Sequence, residues 1–375
     1  MTNKPSFHSL CRWTFNSGKG GFTPANMRPE WNSKTFDTVN CIQLIAEKIK
    51  PRLPAHIQLG LEMHYDYEYN ESNSAEIADA LKENGIHLAM TTPGMSWHWG
   101  YGGIASLDKK ERKAAEDFSL KAIDLTYSKL KKSWHPDVPP TLVIWNGSFG
   151  YDMGTVGIQK MYANLKESFA RLVKFEENLG GKLFWGLEPK PNEGHPALLL
   201  PTVASAIVFW YKLKEQYGIS LNKKGINKEF GHSEMIGLDS ILDTVEELDN
   251  GMMTHVHLNS QGYNDGIILG GPGKYDIDHG CRVNGFNITI ARLMQDAGYN
   301  RWKGHDMQPR PYDNEEQAID RVVRSILSWE ACDAVAKKLD AVKLMKHLAQ
   351  RETVKAEDMM MMAVNEAQKY FLETY

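Results

Sequence analysis

The sequence predicts an α/β protein whose strands close into a (β/α)8, or TIM, barrel, followed by a short C-terminal helical extension. Three observations predict it. Short apolar runs rich in β-branched and aromatic residues alternate with longer segments of helical period. The alternation implies parallel pairing, because parallel neighbours need a crossover and a helix is the usual one. Eight such units can be counted, the number at which a parallel sheet closes around its own side chains. An open doubly wound sheet would share the alternation, but its GxGxxG phosphate fingerprint is absent. The glycine-rich "NSGKGGF" at 16–22 has the wrong spacing and reads as a loop.

The elements follow in order. The first strand lies in "SFHSLCRWTF" (6–15) and is followed by a helix over 34–50. The second, "HIQLGLEMH" (56–64), leads to a helix over 75–84. The third, "IHLAMTT" (86–92), leads to 109–131, for which Asp108 is the expected N-cap. "TLVIWNGS" (141–148) precedes a helix over 157–179, and "KLFWGLEP" (182–189) one over 200–217. "GINKEFGH" (225–232) precedes 234–249, and "MMTHVHLN" (252–259) precedes 287–297. "RWKGHDM" (301–307) is the eighth strand, and its helix spans 315–333. Residues 1–333 are therefore expected to form the barrel and 334–375 the helical extension. The methionine run in "EDMMMMAV" reads as a packing helix or subunit contact, since thioether metal sites need methionines spaced as ligands.

Composition sets limits on function. The chain has 375 residues, 42% hydrophobic and 24% charged, which is ordinary for a globular protein with a large core. A net charge of −4 argues against a nucleic-acid surface, which would need a basic patch. Cys11, Cys41, Cys281 and Cys332 form no CxxC pair and read as reduced thiols. No apolar run approaches the roughly 18 residues of a membrane span. These features predict a cytoplasmic protein with no nucleic-acid or membrane partner.

In such a barrel the chemistry collects at the C-terminal ends of the strands. Trp13 stands there after the first strand, and His64, Asp66 and Glu68 after the second. Trp145 and Asn146 follow the fourth, Glu188 and Lys190 the fifth, Glu229 and His232 the sixth. His255, His257 and Asn259 end the seventh, and His305 and Asp306 the eighth; "KYDID" beyond the seventh adds Asp276 and Asp278. Residues two apart on a strand share a face, which pairs Glu188 with Lys190 and His255 with His257. Five carboxylates (Glu188, Glu229, Asp276, Asp278, Asp306) converging on one mouth would repel unless cations sat among them. With His232 and His257, and His255 as a further candidate, they suffice for two six-coordinate ions. Oxygen-rich ligation selects Mg²⁺, Mn²⁺ or Co²⁺.

These segments resemble the metal-dependent xylose (glucose) isomerases. The resemblance rests on "EPKPNEGHPALLLPTV" (188–203), "NKEFGHSEMIGL" (227–238), and "HVHLNSQ" followed by "KYDID". It runs in order from Trp13 to Asp306 and is strongest from Glu188 to Asp278. It implies that Glu188 and Asp306 ligate a first, substrate-binding metal and that Glu229 bridges to a second held by His232, Asp276 and Asp278. It further implies that Lys190 bonds the substrate carbonyl oxygen, that Trp13 and Trp145 wall the sugar, and that His64 opens the ring. Asp278 or Asp276 would accept a proton from metal-bound water. The implied activity is aldose–ketose isomerisation of an open-chain sugar by a 1,2-hydride shift, in a homo-oligomer (dimer or tetramer).

Three departures bear on the substrate. His257 stands where the family has an aspartate, as in L-rhamnose isomerases, and favours Mn²⁺ or Co²⁺ over Mg²⁺. Tyr67 stands where the family orients its ring-opening histidine with an aspartate, so Asp66 or Glu68 must substitute. The loop "GYNDGIILGGPG" (262–273) lengthens the connection to "KYDID". Rival readings are a single-metal sugar epimerase on the same barrel, a metal-dependent phosphodiesterase disfavoured by the charge, and a catalytically lapsed sugar-binding barrel.

Overall fold

The computed structural model describes residues 4–15, 37–94, 98–145, 156–191, 198–260, 281–309 and 313–375. Eight parallel strands close into a barrel in sequence order. They are β1 (Ser6–Cys11), β2 (Ile57–His64), β3 (His87–Thr92), β4 (Thr141–Trp145), β5 (Phe184–Glu188), β6 (Lys224–Glu229), β7 (Met253–His257) and β8 (Lys303–His305). All eight expected strands are present, each trimmed to the part that pairs. β8 is the shortest, and it closes the ring by pairing His8 to Leu10 of β1 with Lys303 to His305.

Helices α1 (Thr38–Leu44), α2 (Ser74–Glu83), α3 (Lys109–Ser128), α4 (Gly157–Asn178) and α5 (Val203–Tyr217) follow the first five strands. Asp108 caps α3 as expected, accepting from the Lys110 amide. The helix expected over 234–249 is interrupted and gives α7 (Ser240–Asp249), while a short α6 (Phe230–Met235) takes in Phe230 to His232, which were expected to end the sixth strand. Gly237, at φ 72°, turns the chain into the left-handed region between them, and Asp239 restarts the helix by accepting from Ile241 and Leu242 amides. His232 thus sits on α6, one turn beyond Glu229.

α8 (Gly285–Asp296) and α9 (Glu315–Lys338) complete the ring, and α10 (Ala341–Ala349) and α11 (Thr353–Thr374) form the C-terminal extension. The boundary expected after residue 333 falls inside the continuous α9. Ala363 and Ala367 of α11, with Met360 and Val364, pack on Ile288, Ala291, Cys332 and Val335. In the methionine run, Met361 and Met362 are exposed. The main core lies between barrel and helices, and a smaller cluster of Cys11, Trp13, Met90 and Val143 fills part of the barrel interior. Cys11, Cys41 and Cys332 are buried, and all four cysteines are free thiols. No helix among the described residues is long and apolar enough to cross a membrane.

Candidate active site

The strand ends of β5 to β8 bring the predicted residues together. Glu188, Glu229, His232 and His257 are each at most 2% exposed, Lys190 3% and Asp306 9%. Glu229 is the junction. Its Oε1 lies 3.1 Å from His232 Nε2, and its Oε2 lies 3.3 Å from His257 Nδ1. Asp306 Oδ2 is 3.7 Å from the same His257 nitrogen, and Glu188 Oε2 is 3.9 Å from it. Two groups meet at Glu229, Glu188–Glu229–His232 and Glu229–His257–Asp306, and a third, Cys11–Glu62–His257, shares His257; in each the ligand atoms lie within 4.8 Å of one another.

The donor chemistry fits a divalent cation. His232 Nδ1 donates to the Pro189 carbonyl at 3.0 Å, which in the neutral ring leaves the Nε2 lone pair facing a Glu229 oxygen. Two electron-pair donors that close are satisfied by a cation between them. Asn259 Nδ2 donates to Glu229 Oε1 at 2.8 Å and Asn227 Nδ2 to Glu188 Oε2 at 2.7 Å, so the carboxylates are themselves oriented. Three buried carboxylates exceed the positive charge of Lys190, whose Nζ is 3.6 Å from Glu188 Oε1. Burial opposes ionisation of Glu188, but Lys190, His232, His257 and the Asn227 bond outweigh it and hold its pKa below the ordinary value. Burial likewise opposes the charged form of His257, yet Glu62, Glu229 and Asp306 raise its pKa well above that of a free histidine.

The first half of the barrel supplies the wall. Trp13 Nε1 donates to Asp306 Oδ1 at 2.7 Å, and its ring packs 4.2 Å, centroid to centroid, from His64. Between Asp66 and Glu68, the structure chooses Glu68. Asp66 adopts φ 74°, a left-handed conformation that aspartate tolerates better than most residues, and the chain folds back through Tyr69. Glu68 Oε2 then accepts from the His64 amide at 2.6 Å and lies 3.1 Å from its Nδ1, while Asp66 and Tyr67 face solvent. Trp145 ends β4 in register with Glu188. Asp276 and Asp278, with Asn146, the 262–273 loop and the 16–22 stretch, lie outside the described residues.

Two residues escaped the sequence reading. Glu62, fully buried on β2, contacts both His255 and His257. Asn227 holds Glu188. Each stands two positions before a recognised site residue, His64 and Glu229 respectively, so strand alternation places it on the same inward face. His305 does not join the site. It faces outward, with Nε2 2.8 Å from His8 Nδ1 and Nδ1 2.6 Å from Ser325 Oγ on α9. His98 packs against Tyr67, Trp99 and Phe118.

No family model matches the chain. Solved structures share its fold. D-psicose 3-epimerase with D-tagatose from Clostridium cellulolyticum H10 matches with a TM-score of 0.57 at 14% identity, over 87% of this chain and 99% of that one. D-allulose 3-epimerase from Methylomonas sp. matches with 0.57 at 11% identity, over 88% and 99%. A xylose isomerase domain protein from Planctomyces limnophilus matches with 0.53 at 11% identity, again over 88% and 99%. At these identities the likeness is one of fold.

Proposed function

We propose that this chain is a divalent-metal-dependent, xylose isomerase-like aldose–ketose isomerase acting on an open-chain sugar. The observation that carries the reading is that Lys190 and the oriented His64 mark two ends of one linked, buried cluster. Lys190 touches Glu188, while His64 packs on the Trp13 that bonds Asp306. Glu188, His257 and Asp306 would hold one ion, His232 with Asp276 and Asp278 a second, and Glu229 both. Bound there, Mn²⁺, Co²⁺ or Mg²⁺ would polarise adjacent sugar oxygens and supply water acidic enough to move a hydroxyl proton at neutral pH.

The chain's own residues do the rest. His64 donates Nδ1–H to Glu68, which leaves Nε2 to exchange the proton that opens the sugar ring. Lys190 Nζ places positive charge where the carbonyl oxygen gains electron density. Asp278, or Asp276 beside it, would take the hydroxyl proton. Trp13 and Trp145 would exclude water and so favour transfer of hydrogen as hydride from C2 to C1. The active species would be a homo-oligomer, a dimer or tetramer, expected in sedimentation analysis.

One observation favours a second reading. Glu188, Glu229, His257 and Asp306 make a complete mixed acid–imidazole set for one ion, which suits a single-metal sugar epimerase, the activity named for two of the structures of like fold. Turnover of an aldose deuterated at C2 and of a ketose deuterated at C3 separates the two. Label from the aldose retained at C1 of a ketose supports the isomerase, and loss of label from the ketose to water with inversion at C3 supports the epimerase. A panel of pentoses, hexoses and deoxysugars with Mn²⁺, Co²⁺ and Mg²⁺ that gives no turnover sinks both and leaves a sugar-binding barrel.

A further inference from the structure

We infer that Glu62, on the barrel floor, is a positioning residue that selects which nitrogen of His257 faces the metal. The inference rests on the proposed metal centre and extends it one layer inward. Glu62 is 0% exposed and two residues before His64, so it projects into the barrel beneath the site. Its Oε2 lies 2.8 Å from His257 Nε2, and its Oε1 lies 3.0 Å from His255 Nε2. Ser9 Oγ donates to Oε1 at 2.6 Å, and Cys11 Sγ lies 3.6 Å from Oε2.

A carboxylate only accepts, so His257 must carry a proton on Nε2 to satisfy that contact. Nδ1 is then the nitrogen turned towards Glu229, Asp306 and Glu188. On its opposite side the ring's Nδ1 meets both a donor, Asn227 Nδ2 at 3.3 Å, and an acceptor, Glu229 Oε2 at 3.3 Å. The carboxylate below therefore fixes a proton on Nε2, and Nδ1 is the nitrogen left for a cation. Metal-bound histidines commonly hold their second nitrogen on such a partner, which fixes the ring and raises its basicity.

The backbone makes room for the pair at one place. A Cβ on Gly304 of β8 would sit 2.3 Å from Glu62 Oε1 and 2.6 Å from His257 Cδ2. Only glycine there lets β8 pass close enough for Glu62 and His257 to meet. His255 is the second arm. Its Nε2 donates to Glu62 Oε1, so the two imidazoles hold both carboxylate oxygens in place.

Two measurements test the assignment. In ¹⁵N-histidine-labelled protein, NMR should find a hydrogen-bonded proton on His257 Nε2 both without metal and with Mg²⁺ bound. Calorimetry should find Mn²⁺ binding weakened by about 10–100-fold in Glu62→Gln. A His257 protonated on Nδ1 alone overturns the assignment, as does a folded Glu62→Gln with affinity within about twofold of the parent. If Glu62→Gln does not fold, the wild-type spectrum decides. If the wild-type protein binds neither Mn²⁺ nor Mg²⁺, the proposed metal centre fails, while the metal-free spectrum still judges the Glu62–His257 bond.

Discussion

Individual residues carry the sharpest expectations. In the proposed mechanism Lys190 would supply charge rather than a ligand, so Lys190→Met should lower kcat by about 10²–10³-fold and leave Mn²⁺ affinity near that of the parent in calorimetry. An unchanged kcat would remove it from the mechanism. Glu68 acts through His64, so Glu68→Gln should slow turnover of cyclising sugars far more than that of glyceraldehyde, which cannot form a ring; equal slowing of both would assign the pair elsewhere. His8 tests the buried polar seam. Burial and Lys303 lower its pKa to about 4, against the pull of Glu330. In the unfolded chain it titrates near 6.5, so the unfolded state takes up the proton first as pH falls. Stability attributable to a neutral His8 is complete above 6.5 and drains between 6.5 and about 4, a loss of about 3 kcal/mol. Urea unfolding across that range should show a shallower acid limb in His8→Gln.

At the scale of elements, two places matter more than their length suggests. β8 pairs with β1 through only three residues on each strand, and the seam is reinforced by a line of side chains from Glu330 through His8 and His305 to Ser325. α9 is thereby tied to the strand that presents Asp306. The break between α6 and α7 is the other. It follows the short α6, whose start just after Glu229 sets His232 Nε2 3.1 Å from Glu229 Oε1. Removing the cap with Asp239→Ala should cost about 1 kcal/mol in denaturant unfolding. It should also weaken Mn²⁺ binding, because α6 loses the support that follows it; unchanged binding would show that α6 is held by Glu229 and Pro189 alone. Periodicity showed the helix beyond this break but neither the break nor the helical turn before it, since Gly237 alone is a weak signal inside a helical pattern and Phe230 to His232 read as the end of a strand.

For the whole molecule, the extension is part of the fold as packed. α11 covers Ile288, Cys332 and Val335, so ending the chain at Lys338 would expose them, and the shortened protein should melt several degrees lower or precipitate. An unchanged melt would mark α10 and α11 as a separate appendage. The barrel and much of its site were legible in the sequence. Eight alternations without a dinucleotide fingerprint point to closure, strand period puts Glu188 with Lys190 and His255 with His257 on common faces, and strand ends collect the charged groups. These properties are local, set by spacings of two and by the need for a crossover after each parallel strand. Which distant residues meet was decided only by closure and register. Glu62 reaches His257 from five strands earlier in the chain because β8 carries a glycine between them. Glu68 rather than Asp66 orients His64 because one left-handed residue folds the chain back. Such contacts join segments whose separation in sequence holds no period, so only the packed barrel reveals them.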